Sequence, residues 1–138
     1  MKNVKKHVIL FLCGGIAYVI TEILFRGYSH ISMFILGGII FVEIGLLNDF
    51  FSFDMSFLLQ GLIGSALITF SELVAGIVLN IWLKQNIWDY SDIPLNFIGQ
   101  ICLPYSVIWI FVAIAAVILD DYLRFKLFNE KLPVYHIF

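Results

Sequence analysis

Three glutamates interrupt long apolar runs: Glu22 in AYVITEILF, Glu43 in FVEIGL and Glu72 in TFSELVAG. An ionised side chain at the centre of a bilayer costs about 2.5–3.5 kcal/mol on insertion scales. Such groups therefore face other protein, carry a partner or hold a proton. Arg26 follows Glu22 by one helical turn, which puts the two on a shared face. That spacing supports two uses. One is a local ion pair that fixes helix packing. The other is a carboxylate pair, Glu22 with Glu72, that binds a cation or proton and is gated by Arg26. Depth favours a meeting of the two acids. Fifteen residues from His7 to Glu22 span about 22 Å of helix, and sixteen from Ser56 to Glu72 span about 24 Å. Glu43 lies near the end of its run and is expected to be the least buried, snorkelling toward water.

A second group of polar residues sits in WDYSDIPLNFIGQICLP, Trp88 to Pro104. The stretch is too polar to cross a bilayer and too aromatic for an ordinary solvent loop. Trp82, Trp88 and Tyr90 suit a belt at headgroup level. Pro94 and Gly99 oppose a long continuous helix. Asp89, Ser91, Asp92 and Asn96 can bond loop backbone or cap helix ends. The stretch reads as an interfacial or shallow re-entrant cap over the Glu22/Glu72 region, with Trp88 and Tyr90 anchoring its flanks and Asn96 bonding backbone where the chain turns. Asp89 is expected to pair with Arg26, whose planar fork accepts two carboxylates.

These residues need elements to hold them. Four runs are candidates to span a membrane, each near the roughly 20 apolar residues that a span requires: about 7–25, 31–47, 56–83 and 101–119. With no Pro/Ser-rich linker between them, residues 1–138 read as one transmembrane domain. The predicted fold is an all-α integral membrane protein, a four-transmembrane-helix bundle with an interfacial or re-entrant outer loop. The tail DDYLRFKLFNEKLPVYHIF completes it as a C-terminal amphipathic extension near the lipid surface, with Asp120 and Arg124 at supportive helical spacing. Small residues at Gly14, Gly15, Gly37, Gly38, Gly45, Gly61, Gly64, Ser65, Ser71, Ala75 and Gly76 mark where helices can approach closely in lipid.

Composition agrees with that solvent. Hydrophobic residues make up 62% of the 138 and charged residues 13%, and mean hydropathy is +1.00. A soluble chain of this length has too little interior to hide so much apolar surface. A net charge of −2 excludes a nucleic-acid partner, which demands a basic surface. Lys2, Lys5, Lys6, Arg124, Lys126 and Lys131 fall on the side of the termini, against Arg26 and Lys84 on the other. The bias predicts a multi-pass protein of the cell membrane with both termini cytoplasmic. The Asn48–Met55 loop would share that side, although it carries no Lys or Arg. The basic start and first apolar run lack a small-x-small cleavage site and read as an uncleaved helix. Leu12 is too large for a lipoprotein box at Cys13. Cys13 and Cys102 fall at different depths, so no disulfide is expected. Phosphate loop, nucleophile elbow and metal-spaced His/Cys cluster are all missing, and His7, His30 and His136 are scattered. The expectation is no enzyme, no catalytic residue, no cofactor and no metal.

RGYSHISMFILGG, SELVAGIVLNIWL and WDYSDIPLNFIGQICLPYSVIW together resemble the CmpB-like small membrane proteins, the family described as Putative ABC-transporter type IV. Glu22, Arg26 and Gly27 match its Glu then Arg-Gly closing the first helix. Glu72 and Gly76 match its Glu before a small-residue turn in the third. Trp88, Asp89, Tyr90 and Ser91 match its Trp-Asp-Tyr-Ser stretch. Asn96, Gly99, Cys102 and Leu103 match its Asn and its Gly-x-Ile/Val-Cys-Leu run. The likeness covers about residues 14–112. It departs after Arg-Gly, where HISMFILGG lacks the family's prolines and tyrosine, so the resemblance does not carry over a broken second helix.

Three function classes remain. The resemblance implies a permease-like component of a transport system, with an ATPase or other membrane subunit as partner. A self-sufficient homodimeric small transporter or channel is a second class. A structural or regulatory membrane subunit without transport is the third. The lipid bilayer is a partner in each.

Overall fold

The computed structural model describes residues 2–50, 56–133 and 135. Expectations that fall on residues 51–55 or on His136 lie outside them. Helix α1 runs Lys2–Arg26, α2 Ile31–Phe50, α3 Phe57–Gly76 and α4 Leu103–Phe128. Beyond Gly76 the helix widens over Ile77–Trp82, where Leu83 N–H bonds the Val78 carbonyl five residues back at 3.0 Å. A small antiparallel ladder, β1 (Asn96–Phe97) on β2 (Ile101–Cys102), pairs Asn96 with Cys102 and Phe97 with Ile101.

Local chemistry explains the breaks. Gly27, at φ +81°, closes α1 and donates to Ile23 O at 2.9 Å, the left-handed stop for which glycine has no Cβ penalty. Ser56 caps α3 by accepting from Leu59 N at 3.2 Å. Pro104 stands in the first turn of α4, where its missing N–H costs nothing. Asn129, at φ 55°, ends that helix and donates to Arg124 O.

α1, α3 with its widened turn, and α4 are each long and apolar enough to cross a membrane; the apolar part of α2, Ile31–Leu47, is shorter. α2 is continuous, with no break after the His30 turn. The chain folds as two helical hairpins, α1 on α2 and α3 on α4, and α2 forms most of the contact between them. Met33, Leu36, Ile40 and Ile44 of α2 meet Ile68, Ala113 and Val117, and the core is closed at one end by Ile87 and Trp88. Leu24, Phe25, Phe70 and Phe111 face outward, as a lipid solvent permits. Together these features make an all-α membrane protein.

Close approach rests on the small residues. Within α1–α2, Phe41 and Phe34 lie over Gly14 and Gly15, while Tyr18 and Phe11 lie over Gly37 and Gly38. Within α3–α4, a Cβ at Gly64 would come 2.5 Å from Ala113 Cβ, so the two backbones meet where neither carries bulk.

One expectation is overturned. Among the described residues, no separate amphipathic helix follows residue 119. α4 continues to Phe128, and Asp120, Asp121 and Arg124 are buried rather than laid on a lipid surface. Arg124 pairs with Asp120 at 2.9 Å, with Asp49 of α2 at 2.9 Å and with Glu130 at 3.6 Å. Glu130 also meets Lys6 of α1 at 3.3 Å. Asp120 sits against Gly45, whose bare Cα makes room for the carboxylate. Tyr135 donates to Asp121 at 2.8 Å and stacks on Phe57 at 4.7 Å. The charges expected near the lipid surface knit the termini end of all four helices.

Candidate functional site

Glu22 is buried, 8% exposed, one turn before α1 ends. Its carboxylate meets Arg26 Nη2 at 3.0 Å and accepts from Ser29 Oγ at 3.1 Å. Arg26 also donates from Nη1 to Ile87 O at 3.3 Å, and its Cζ lies 4.7 Å over the Tyr28 ring. Arg26 thus ties the end of the first hairpin to the segment entering the cap.

Glu72 is 6% exposed in α3. Trp109 Nε1 of α4 donates to one carboxylate oxygen at 2.7 Å, and Tyr90 Oη donates to the other at 2.9 Å. Tyr90 stacks on Tyr105 at 4.9 Å, and Tyr105 tilts against Trp109 at 5.8 Å. Burial, then the Glu72 charge, then the bond to it push the Tyr90 phenol far above its ordinary range, which keeps it a donor.

The two acids are held by different partners: among the described residues no hydrogen bond or ion pair joins Glu22 to Glu72. Tyr18 of α1 is within electrostatic reach of both, and of Arg26. Glu43 is the least buried of the three acids, as expected, but it does not simply snorkel. It is half-buried and accepts from Ser71 Oγ at 3.1 Å, a link between α2 and α3 rather than a snorkelling group.

The cap is an ordered piece of chain. Asp89 accepts from Ser91 N at 2.9 Å and from Ser91 Oγ. Asn96 donates to Ser91 O at 3.2 Å and to Ile93 O at 2.9 Å, and accepts from Gly99 N at 3.0 Å. Trp88 Nε1 donates to Gln100 O at 3.0 Å, while Asn80 donates to Gln100 Oε1 and accepts from Ile87 N, both at 2.8 Å. Ile98 and Gly99, at φ 48° and 72°, make the left-handed tip between β1 and β2. A Cβ at Gly99 would strike Asp89 Oδ1 at 2.8 Å.

Arg26 does not meet Asp89. Its guanidinium is drawn to the buried Glu22 one turn away, and Asp89 stays exposed, with Ser91 holding its carboxyl below the usual value. Both nevertheless line one open cleft of about 540 Å³ at this end of the molecule. Tyr28, Trp88, Tyr90 and Tyr105 supply its aromatic walls.

Sequence reasoning missed Tyr18, Ser29, Tyr105 and Trp109. One signal for the last two was present: Tyr105 and Trp109 are four apart, on one face of α4.

A family model described as Putative ABC-transporter type IV matches residues 13–133, a range that contains Glu22, Arg26, Glu72 and the whole cap. No curated protein and no solved structure matches the chain.

Proposed function

The chain belongs to the family described as Putative ABC-transporter type IV, and on that premise we propose that it is a permease-like subunit of a transport system, without enzymatic chemistry of its own. In this reading all four helices span the cell membrane and both termini are cytoplasmic, on the side of six of the eight basic residues. α2 crosses despite its shorter apolar run because one face of it, Met33, Leu36, Ile40 and Ile44, lies against protein. The working element is the pair of intramembrane carboxylates, with Arg26 on Glu22 and Tyr90 on Glu72. An ATPase chain docks on the cytoplasmic end.

One observation carries the reading. Arg26 and Tyr90, the partners of the two buried acids, both line the open cleft. Intramembrane carboxylates that connect to a wet surface through movable side chains are the usual mark of an ion or substrate path. A second reading, a structural or regulatory subunit without transport, draws on a different observation: each carboxylate already has two partners.

Glu22→Gln and Glu72→Gln separate the two. A transport subunit retains its fold and its partner in nanodiscs while losing function. A structural subunit melts earlier in both variants and, by native mass spectrometry, carries no ATPase. Cysteines placed at Ser91 and Lys131 should label from opposite faces; labelling from one face ends the four-span reading.

A further inference from the structure

The cleft contains two opposite charges that do not neutralise one another. Arg26 and Asp89 both line it, and among the described residues no ion pair joins them. Arg26 spends donors on Glu22 and on Ile87 O, which leaves the rest of its five N–H groups unclaimed. Its side chain is 31% exposed, so they are reachable. Asp89 spends Oδ1 on Ser91, and Oδ2 has no partner among the described residues. The rings of Tyr28, Trp88, Tyr90 and Tyr105 line the same cleft.

A ligand with one charge meets an attractive and a repulsive wall here. A cation satisfies Asp89 but faces the guanidinium; an anion does the reverse. A ligand carrying both charges satisfies both walls. The volume, about 540 Å³, is within the ordinary range for small-molecule sites. Aromatic faces favour the cationic half, because a ring's negative face attracts an ammonium. A guanidinium favours the anionic half, because its fork matches carboxylate and phosphate oxygens.

We propose that this cleft binds a zwitterion made of a primary ammonium and an oxyanion, with the oxyanion on Arg26 and the ammonium between Asp89 and the tyrosine rings. That chemistry has two sources, the headgroup of phosphatidylethanolamine in the bilayer and a free amino acid in solution. The inference does not rest on transport, since the cleft is as complete in a structural subunit.

The test uses the full chain in phosphatidylglycerol nanodiscs, titrated calorimetrically with glycerophosphoethanolamine and with glycine. Ethanolamine and inorganic phosphate serve as single-charge controls. One zwitterion at least should bind about tenfold more tightly than either control, since a charge-assisted contact is lost with each half. Asp89→Asn retains an oxygen for Ser91 to donate to and removes the charge, so it should weaken the zwitterion about tenfold at a temperature where thermal unfolding shows the variant still folded. Tyr28→Leu, which removes the ring under the Arg26 guanidinium, should weaken it severalfold. Binding of glycerophosphoethanolamine that is blocked by adding phosphatidylethanolamine to the disc assigns the lipid source. Glycine binding that is indifferent to that lipid assigns the free zwitterion. The proposal is overturned if neither zwitterion binds, if a control binds equally well, or if Asp89→Asn binds as the wild type does.

Discussion

Replacing Tyr90 with Phe tests what holds the cap in place. The substitution removes one hydroxyl, the donor at 2.9 Å to Glu72. It leaves the ring stacked on Tyr105 at 4.9 Å. Trp109 remains on the other carboxylate oxygen at 2.7 Å. The loss is therefore one hydrogen bond to a buried carboxylate, about 1.5–3 kcal/mol. Taken at about 2 kcal/mol, it raises the population of the open cap about thirtyfold, at 1.4 kcal/mol per factor of ten. Two backbone bonds report that opening: Tyr90 N–H on Gly99 O at 2.7 Å, and Leu103 N–H on Leu95 O at 3.2 Å. Hydrogen exchange in nanodiscs should show both amides losing protection by about that factor, while amides in mid-α1 stay as they were. A double-mutant cycle with Glu72→Gln should give a coupling energy above about 0.5 kcal/mol, the level at which neighbouring residues separate from independent ones. Unchanged protection at Tyr90 and Leu103, or additive damage in the cycle, would refute the claim that Glu72 holds the cap.

Three further outcomes are expected from the packing and the charges. Arg124→Leu should destabilise the protein by about 3–5 kcal/mol, because it strands the buried Asp120, and adding Asp120→Leu should recover much of that loss in thermal unfolding. Gly64→Val should cost at least about 1–3 kcal/mol by forcing α3 off Ala113, whereas Ala66→Val on the exposed face of the same helix should not be felt; equal melting of the two would contradict the close approach. Asp89 has a folded-state pKa below its ordinary value, so its contribution is present above the unfolded value and lost as pH falls through the folded one. The cap should therefore loosen below about pH 4, read by Trp88 fluorescence, and Asp89→Asn should erase that step; loosening that begins near neutral pH would contradict the assignment.

The four helices were legible because long apolar runs display them openly, three of them at the length a membrane crossing requires. The starts of α2, α3 and α4 lie close to where capping and turn residues place them, at His30, Ser56 and Pro104. The end of α4 was not legible, and the reason is tertiary. Asp120, Asp121 and Arg124 look like a wetted face until Asp49 and Gly45, some seventy residues earlier, are brought against them. Burial of a charge depends on partners that local pattern does not reveal. The site divides in the same way. Glu22 with Arg26 is visible as a spacing of four. Tyr90 on Glu72 is not, because eighteen residues and a change of direction separate them and the pairing depends on how the cap docks. The expected Arg26–Asp89 pair failed on competition: a buried carboxylate one turn away outweighs an exposed one that Ser91 already serves.

Most polar side chains of the cap are occupied with its own backbone. Asn80, Asn96 and Gln100 bond main-chain groups or one another, as irregular chain near the membrane must if it is not to leave donors and acceptors bare. Tyr90 and Arg26 are different, because each does two jobs at once. Tyr90 donates to Glu72 and walls the cleft; Arg26 pairs with Glu22 and walls the same cleft. The cleft and the buried acids therefore share two side chains. A ligand that prefers one position of either side chain changes the partner set of a carboxylate beneath it, and a change of protonation at that carboxylate changes the affinity of the cleft by the same factor. Tyr90 and Arg26 are the two side chains through which such a coupling would run, and Tyr90→Phe tests the first of them.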